Sequence, residues 1–306
     1  MNTHKKGIWA ALLSNFLFGA MFLYSDWMAP MSGTTVFAWR MVSMLLSLWL
    51  IVLCTHGWPE LFRFVYQVGM NGRKWLLILL PTPIIGYQLW LFMWAPVNGH
   101  GIDVAMGYFL FPLMMVLCGW LFLHEELSGW QWLAVGLAGM GVAHELWQNQ
   151  VFSWVTLSVF TTYPLYYMLR RWMQVPALTG LLIDLTLIAP VAAFYLAFQP
   201  GSWAILTEPS RYWLLIPVMG IISAASMQLN LYASRMIPMS LFGMFSYLEP
   251  ILLFVLTVTV LQTPVTVSAM ITYSLIWVGL CFAMYDSYLK TQQANLARGK
   301  PSSAQA

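Results

Sequence analysis

Long apolar stretches separated by short polar breaks run through almost the whole chain. Each stretch has about 20 residues, the length of helix that crosses the ~30 Å hydrocarbon core of a bilayer. The breaks are rich in Gly, Pro, Ser and charged residues, which end helices and favour loops. The pattern therefore predicts ten membrane-spanning helices. The predicted spans are residues 7–29, 34–55, 75–95, 104–123, 130–147, 152–169, 177–198, 212–233, 240–261 and 266–286.

The composition supports a membrane protein and argues against several soluble classes. Charged residues make up 8% of the 306 residues and hydrophobic residues 60%, whereas a soluble domain carries about 25% charge to solvate its surface. The net charge of +3 is too small, and the cations are too scattered, for a nucleic-acid partner. Residues 1–6 are basic like the start of a signal peptide, but the apolar run that follows is too long for one and lacks a convincing cleavage site. We expect this run to be retained as the first span.

The distribution of Lys and Arg predicts the orientation of the spans, because short cytoplasmic loops are enriched in both residues. With the N-terminus in the cytoplasm, only Arg40, inside the second span, and Arg211, in an outer loop, fall elsewhere. We therefore predict a multi-pass inner-membrane protein with both termini in the cytoplasm and a disordered tail at residues 290–306. The cations on the cytoplasmic side are Lys5, Lys6, Arg63, Arg73, Lys74, Arg170, Arg171, Arg235, Lys290, Arg298 and Lys300.

Ten spans divide into two sets of five, and an odd number of helices per set gives the two sets opposite orientations. Such inverted repeats are a common transporter architecture, with the solute site between the halves near the midplane. Pro112 and Pro250, in the fourth and ninth spans, are followed at the same distance by Gly141 and Gly279. We therefore predict an all-α integral membrane fold built from two inverted five-helix repeats. The predicted boundaries are residues 1–148 for the first repeat and 149–289 for the second.

Three charged side chains lie inside predicted spans, where a charge costs at least about 2.5–3.5 kcal/mol and usually faces a cavity or a partner. Glu249 lies nearest the midplane, about nine residues or ~14 Å into the ninth span. It is a candidate cargo or proton site, or a protonated carboxyl that bonds to a neighbouring helix. Arg40 could clamp a cargo carboxylate through its planar guanidinium or extend to the outer surface. Asp184 could take part in proton coupling, reach the inner surface or cap a helix.

The uncharged polar residues have less specific interpretations. Gln88, Gln228 and Asn230 can line a transport path or hold helices together, a role worth ~0.6 kcal/mol on average. His100 and Asp103 lie in a loop too short to complete a metal-coordination shell, and we treat them as candidates for gating. The sequence has no ATP-binding loop and no set of catalytic residues that converges at one membrane face. We therefore expect a protein that is not an enzyme and that holds no metal or cofactor.

Residues 92–112 resemble the region between the third and fourth helices of RarD-type proteins, which belong to the EamA branch of the drug/metabolite transporter superfamily. The residues shared there are Trp94, Asn98, His100, Gly107, Tyr108, Phe109 and Pro112. The resemblance continues through Glu125 and residues 131–135 and extends over nearly the whole chain. Arg40 matches an Arg of the second helix, and Asp184 stands where relatives carry an acid. The second half shares Ser240, Gly243, Phe245, Tyr247, Pro250, residues 276–278 and Asp286.

The resemblance implies ten helices as two inverted repeats, cytoplasmic termini, and export of small metabolites or drugs. It places the cargo cavity among the first four helices of each half. The partners that we expect are a small-molecule cargo and the lipid bilayer, with the protein a monomer or a homodimer. The expected substrate-binding residues are Arg40, Gln88, Tyr108, Asn230, Tyr247 and Glu249. The candidates for proton coupling or gating are Glu249, Asp184, His100 and Asp103.

Two differences from the RarD-type pattern bear on the cargo. Glu249 precedes Pro250, and Thr263 stands where that family has a Glu. Both differences favour a polar, ionisable cargo, such as an amino acid or an amino-acid-derived metallophore, over the chloramphenicol loosely associated with the family. We therefore expect a secondary-active exporter of a small amphipathic or zwitterionic metabolite or drug-like compound, with proton antiport through Glu249 as a hypothesis. The alternatives are a lipid-linked flippase subunit, a membrane-embedded enzyme and a non-transporting accessory subunit.

Overall fold

The computed structural model describes residues 3–55, 57–123, 126–149, 153–201, 211–237 and 245–299, and the elements described there are helices. Glu125, Ser240 and Gly243, which contribute to the family resemblance, lie outside these residues. The helices are α1 (Thr3–Trp27), α2 (Gly33–Cys54), α3 (Trp58–Val68), α4 (Gly72–Leu79), α5 (Thr82–Val97), α6 (Gly101–Leu123), α7 (Gly129–Asn149), α8 (Trp154–Trp172), α9 (Ala177–Phe198), α10 (Arg211–Met236), α11 (Leu248–Thr259) and α12 (Val267–Gly299).

Six stretches of the described chain are long and apolar enough to cross a membrane, which confirms an all-α integral membrane protein. They lie in α1, α2, the α4–α5 pair, α6, α9 and α10. Each of the other four predicted spans also overlaps a helix, namely α7, α8, α11 or α12. Those helices are shorter or less apolar, so the number of ten spans stays a prediction. The six stretches are Lys6–Trp27, Gly33–Cys54, Gly72–Val97, Gly101–Phe122, Ala177–Phe198 and Arg211–Ala233.

Between the second and third spans, where the sequence predicted a loop, the chain forms the short helix α3. Its 11 residues are too few to be found by a search for spans of about 20 residues. Pro59 lies in its first turn, where the missing N–H would have no partner within the helix. Gly69 ends it with a φ of +58°, a backbone conformation that glycine adopts at no steric cost.

The ninth predicted span, residues 240–261, is described only from residue 245 onward, because residues 238–244 lie outside the description. Residues 245–246 are helical, Tyr247 forms a turn, and α11 follows from Leu248 to Thr259. Pro250 fits the first turn of α11 because the N–H group that proline lacks is least needed near the start of a helix. Glu249 therefore lies directly after the turn at Tyr247, in the first turn of α11.

The last helix extends into the predicted tail. We predicted disorder from residue 290, but α12 continues to Gly299, so residues 290–299 are helical. This extension is rich in Ala, Gln, Leu and Lys, which have high helix propensity, and it needs no apolar partner to begin because it prolongs an existing helix. Residues 300–306 lie outside the described part of the chain.

Helices at equivalent positions in the two predicted repeats pack against one another: α2 against α9, α6 against α11, and α7 against α12. The larger apolar core is formed mainly by α1, α2, α5, α6, α8, α9 and α10. A smaller cluster lies between α6, α7 and α12. The larger core surrounds Arg40, which is 1% exposed, so the packing of these helices decides which groups that charge meets.

Gly141 and Gly279, the glycines at equivalent positions of the two predicted repeats, both lie where α7 and α12 touch. A methyl group at Gly279 would lie 2.9 Å from the backbone oxygen of Ala134, and one at Gly141 would lie 3.2 Å from that of Thr272. Both positions therefore lack space for a side chain. The close approach of the two backbones depends on glycine on each side, as in other membrane helix pairs.

We expect Gly141→Leu to destabilise the protein by about 1–3 kcal/mol, because the added side chain meets the backbone of α12. Gly139→Leu in the same helix is the matched control, since nothing lies within 4 Å of that position. It should be neutral or slightly stabilising, because leucine has the higher helix propensity. Thermal unfolding of the purified proteins in detergent measures both effects. Equal unfolding temperatures for the two variants would contradict the close α7–α12 contact.

Candidate functional site

A small cavity lies inside the larger core, with side chains from α1, α2, α5, α6, α8, α10 and α11 around it. Its volume of about 10 Å³ is close to the space that a single water molecule needs. The helices are thus closed around it, and any cargo larger than water requires them to separate. Four of the predicted substrate-binding residues line this cavity. They are Arg40, Gln88, Tyr108 and Glu249.

Arg40 is the most buried charge at the cavity. Its Nε donates a hydrogen bond of 2.8 Å to Ser223 Oγ, and its guanidinium lies 5.4 Å from the centre of the Phe92 ring. Its Nη1 has no hydrogen-bond partner among the described residues. A buried donor without a partner costs about 1–3 kcal/mol, and more when it is charged. The arrangement therefore favours an acceptor group, such as a carboxylate, in the cavity.

The contact between Arg40 and Ser223 depends on the close packing of α2 and α10. At Gly220, one turn before Ser223, an added methyl group would lie 2.5 Å from the backbone carbon of Ser43. The two backbones approach this closely because Gly220 has no side chain. Ser223 thereby comes within hydrogen-bond distance of Arg40 across the boundary between the two predicted repeats.

Gln88 lines the same cavity and is fixed by α8. Its Nε2 donates to Thr162 Oγ1 at 2.5 Å and to the backbone oxygen of Ser158 at 3.1 Å. Its Oε1 is buried without a hydrogen-bond partner among the described residues. Gln88 therefore offers an acceptor at the same cavity at which Arg40 offers a donor.

Tyr108 and Glu249 complete the polar part of the lining. Tyr108 is 5% exposed and packs edge-on against Phe92 and Tyr163, with ring centres 6.0 and 5.8 Å apart. Glu249 is half-buried and close enough to Arg40 for the two charges to interact. The two side chains form no ion pair within the described part of the chain, so each charge stays available to a ligand.

Asn230 and Tyr247, also predicted to bind cargo, lie elsewhere in the described structure. Tyr247 is buried in the smaller cluster with Phe109 and Tyr273. Asn230 is buried in α10, one turn beyond Met227, whose side chain does line the cavity. Three residues along a helix keep the side chain on nearly the same face but shift it by about 4.5 Å along the axis, so Asn230 lies at a different depth from the cavity. The structure therefore does not bring these two residues to the cavity.

Asp184 lies in a second polar cluster, away from the cavity. It forms an ion pair with Arg170 and accepts hydrogen bonds from Thr82 Oγ1 at 2.6 Å and Tyr166 OH at 3.1 Å. Arg170 Nη1 also donates to the backbone oxygen of Ile78 at 3.1 Å. The carboxylate therefore has three partners, and the cluster joins α4 and α5 of the first predicted repeat to α8 and α9 of the second.

His100 and Asp103 lie beyond the opposite end of α5 from Thr82. His100 Nδ1 and Asp103 Oδ2 are 2.7 Å apart, and both side chains are about one-third exposed. The imidazole stacks on Trp94 with ring centres 5.5 Å apart. Thr156 Oγ1, in α8, donates to the backbone oxygen of Asp103 at 2.8 Å. Since α5 has 16 residues and rises 1.5 Å per residue, roughly 24 Å of helix separates this pair from Thr82, with Gln88 between them.

Several residues that complete these clusters were not singled out in the sequence. Ser223 and Arg170 are the direct partners of the buried charges Arg40 and Asp184. Arg170 was predicted to lie on the cytoplasmic side because it follows the end of the sixth predicted span. A serine among apolar residues is too common to indicate a partner for a distant arginine. The remaining residues that line the cavity are Phe18, Leu89, Phe92, Tyr163 and Met227.

Comparison with known protein families identifies one match. The EamA-like transporter family matches residues 5–144. An uncharacterized transporter of Haemophilus influenzae is 47% identical over 92% of this chain and 94% of its own. The chloramphenicol-sensitive protein RarD of Pseudomonas aeruginosa is 35% identical over 94% of this chain and 96% of its own. Protein RarD of Escherichia coli is 27% identical over 92% of this chain and 95% of its own.

The chain also resembles solved crystal structures in fold. One of them aligns with a TM-score of 0.55 over 94% of this chain and 99% of its own, at 17% sequence identity. The two proteins therefore have a similar arrangement of helices along nearly their whole lengths.

We expect Asp184→Asn and Arg170→Gln each to destabilise the protein by about 3–5 kcal/mol, because each leaves the other charge buried without its partner. The double variant should lose less unfolding free energy than the two single variants lose together, since it leaves no unpaired charge. Unfolding in detergent micelles, measured for the four proteins of this cycle, gives the coupling energy. Additive losses would mean that the ion pair does not contribute. Glu60→Gln, at an exposed carboxylate, is the control.

Proposed function

Because the chain belongs to the EamA-like transporter family as a RarD-like permease, we propose that it is a secondary-active exporter of a small amphipathic or zwitterionic metabolite. The family makes it a transporter rather than an enzyme. The cargo that we propose is an amino acid, an amino-acid-derived metallophore or a drug-like compound with both charges. The observation that carries the proposal is that Arg40 and Glu249 line the same cavity without forming an ion pair.

The electrostatics of the cavity support a zwitterion over a neutral cargo. Arg40 is 1% exposed, and its Nη1 lacks a hydrogen-bond partner among the described residues. A cargo carboxylate would accept from that donor, while a cargo ammonium group would lie against Glu249. The complex of the protein with a zwitterion would bury two pairs of opposite charges. A neutral cargo would leave Arg40 and Glu249 each without an ion-pair partner, at a cost of several kcal/mol. The aromatic rings of Phe92, Tyr108 and Tyr163 would supply apolar contact.

We propose that transport is a movement between the two repeats, residues 1–148 and 149–289, that opens the closed cavity to one side at a time. The packing of α2, α6 and α7 on their counterparts α9, α11 and α12 supports two related halves, as does the family match to residues 5–144. The excess of Lys and Arg on one predicted side supports cytoplasmic termini. Two halves that rock around a midplane site are a common design among secondary transporters.

The two polar clusters support a role in gating. In each of them, side chains from the predicted second half bond to the first half. Asp184 accepts from Thr82 and Arg170 donates to the backbone oxygen of Ile78, and Thr156 donates to the backbone oxygen of Asp103. They lie at opposite ends of α5, with the cavity between. In our proposal, the Asp184 cluster closes the cytoplasmic end, and His100 with Asp103 closes the outer end.

The first test of the cargo class compares strains that express equal amounts of the native protein and of Arg40→Gln. We expect one or more zwitterionic metabolites to accumulate in the medium only with the native protein, because the variant lacks the charge that binds the carboxylate. Mass spectrometry of the medium measures this, with Lys6→Gln, at an exposed cation, as the control variant. Chloramphenicol, named for the P. aeruginosa relative, serves as the neutral comparison. Export of chloramphenicol alone would contradict the proposal.

The second test concerns proton antiport through Glu249. In proteoliposomes with the metabolite found above, Glu249→Gln should lose accumulation driven by a pH gradient. It should retain exchange of labelled for unlabelled cargo at a cargo concentration raised to offset the weaker contact with the cargo ammonium group. The amide cannot take up or release a proton, yet it keeps the shape of the side chain. Glu60→Gln replaces an exposed carboxylate on α3 and should behave like the native protein. Unchanged pH-driven accumulation in Glu249→Gln would exclude this residue as the proton carrier.

A further inference from the structure

Helix α3 lies outside the membrane spans but next to two of them. Its 11 residues extend over ~17 Å, which is too short to cross a bilayer. It follows the end of α2 and precedes the start of α4, which are the ends of two predicted spans on the same side. The helix therefore lies at the level of the membrane surface, where lipid headgroups meet the protein.

One face of α3 is fixed to the rest of the protein. Phe64 and Val68 pack in a small apolar cluster with Ile78 of α4 and Val175, the residue before the N-cap of α9. The turn between α3 and α4 is held as well, because Trp75 Nε1 donates to the backbone oxygen of Gly69 at 2.9 Å. These contacts set the orientation of the other two faces of the helix.

A second face of α3 is apolar and largely exposed. Phe62, whose ring stacks on Trp58 in the same helix with ring centres 5.8 Å apart, is 63% exposed. Tyr66 is 89% exposed, and Met70 just beyond the helix is fully exposed. On a helix at the membrane surface, such residues insert into the boundary between headgroups and acyl chains. Tyr66 is suited to this depth because its ring is apolar while its hydroxyl stays hydrated.

The third face and the start of α4 are basic. Arg63, Arg73 and Lys74 are all exposed, and Glu60 is the one acid in the sequence from residue 57 to residue 74. The side chain of Asn71 caps α4 by accepting from the backbone N–H of Lys74 at 3.1 Å, so both cations of that turn are held at the membrane surface. Guanidinium and ammonium groups bind phosphate through charge-assisted hydrogen bonds.

We propose that α3 and the first turn of α4 form a binding site for an anionic phospholipid of the bilayer. Arg63, Arg73 and Lys74 bind the phosphate and the anionic headgroup, and Phe62 and Tyr66 contact the upper part of the acyl chains. The occupant is a lipid rather than a soluble anion, because the basic residues adjoin an apolar surface that only a lipid covers. The site is separate from the cargo cavity and does not depend on the identity of the cargo.

The test uses the full-length protein in detergent micelles, titrated with phosphatidylglycerol or with phosphatidylcholine of the same acyl chains. Native mass spectrometry measures the bound lipid. We expect the native protein to retain phosphatidylglycerol preferentially. The R63Q/R73Q/K74Q variant should bind it on the order of 100-fold more weakly, since each cation near a headgroup contributes about a factor of five.

Three controls make the result specific. The charge-preserving variant R63K/R73K should bind phosphatidylglycerol within about fivefold of the native protein. Lys6→Gln removes an exposed cation of α1 and should have no effect. Phe62→Ser combined with Tyr66→Ser should weaken the binding of the lipid but not that of inorganic phosphate. Equal retention of phosphatidylglycerol and phosphatidylcholine by the native protein would overturn the proposal. So would an R63Q/R73Q/K74Q protein that folds and binds phosphatidylglycerol with the native affinity.

Discussion

A charge inside a bilayer needs a partner, because hydrocarbon offers none and water is excluded. The structure meets this requirement in two different ways. Asp184 has an ion pair with Arg170 and hydrogen bonds from Thr82 and Tyr166, which accounts for its burial without any ligand. Arg40 has a hydrogen bond to Ser223 and a contact with the Phe92 ring, while its Nη1 has no partner among the described residues. The Asp184 cluster, whose charges are paired, is suited to holding helices together. Arg40, which keeps an unpaired donor, is suited to binding a ligand.

The contacts that hold the helices together also bear on how the helices could move. Membrane helices gain little from apolar burial against each other, because lipid chains are equally apolar, so close backbone contacts and polar bonds hold them. Here the close contacts lie at Gly220 and between α7 and α12, and polar bonds between helices lie at both ends of α5 and at Gln88 between them. In our proposal, the bonds at the two ends of α5 break and form again while the apolar core stays packed. The cavity has space for about one water, so in that proposal the arrangement seen here is the one closed at both ends.

Glu249 has a distinct position because it follows directly on the turn at Tyr247, in the first turn of α11. It lies at the cavity, close enough to Arg40 for the two charges to attract each other. In our proposal, a cargo ammonium group would add a second attractive contact. Because Arg40 and Glu249 belong to different predicted halves, a movement of one half against the other would change the surroundings of this carboxyl group.

Hydropathy alone was enough to place the six stretches that are long and apolar enough to cross a membrane, because a span must be long and apolar whatever it packs against. It also located the charges Arg40, Asp184 and Glu249, since any charge is conspicuous in an apolar run. It did not reveal the partners Ser223 and Arg170, the turn at Tyr247, or the short helix α3. Nor did it show that Tyr163 and Met227 line the cavity while Asn230 and Tyr247 do not. Spans that are apolar around their whole circumference carry no stripe to indicate which side faces the interior. Helix rotation was therefore decided by close contacts such as that of Gly220 with Ser43, which depend on residues far apart in the chain and exist only once the helices have packed.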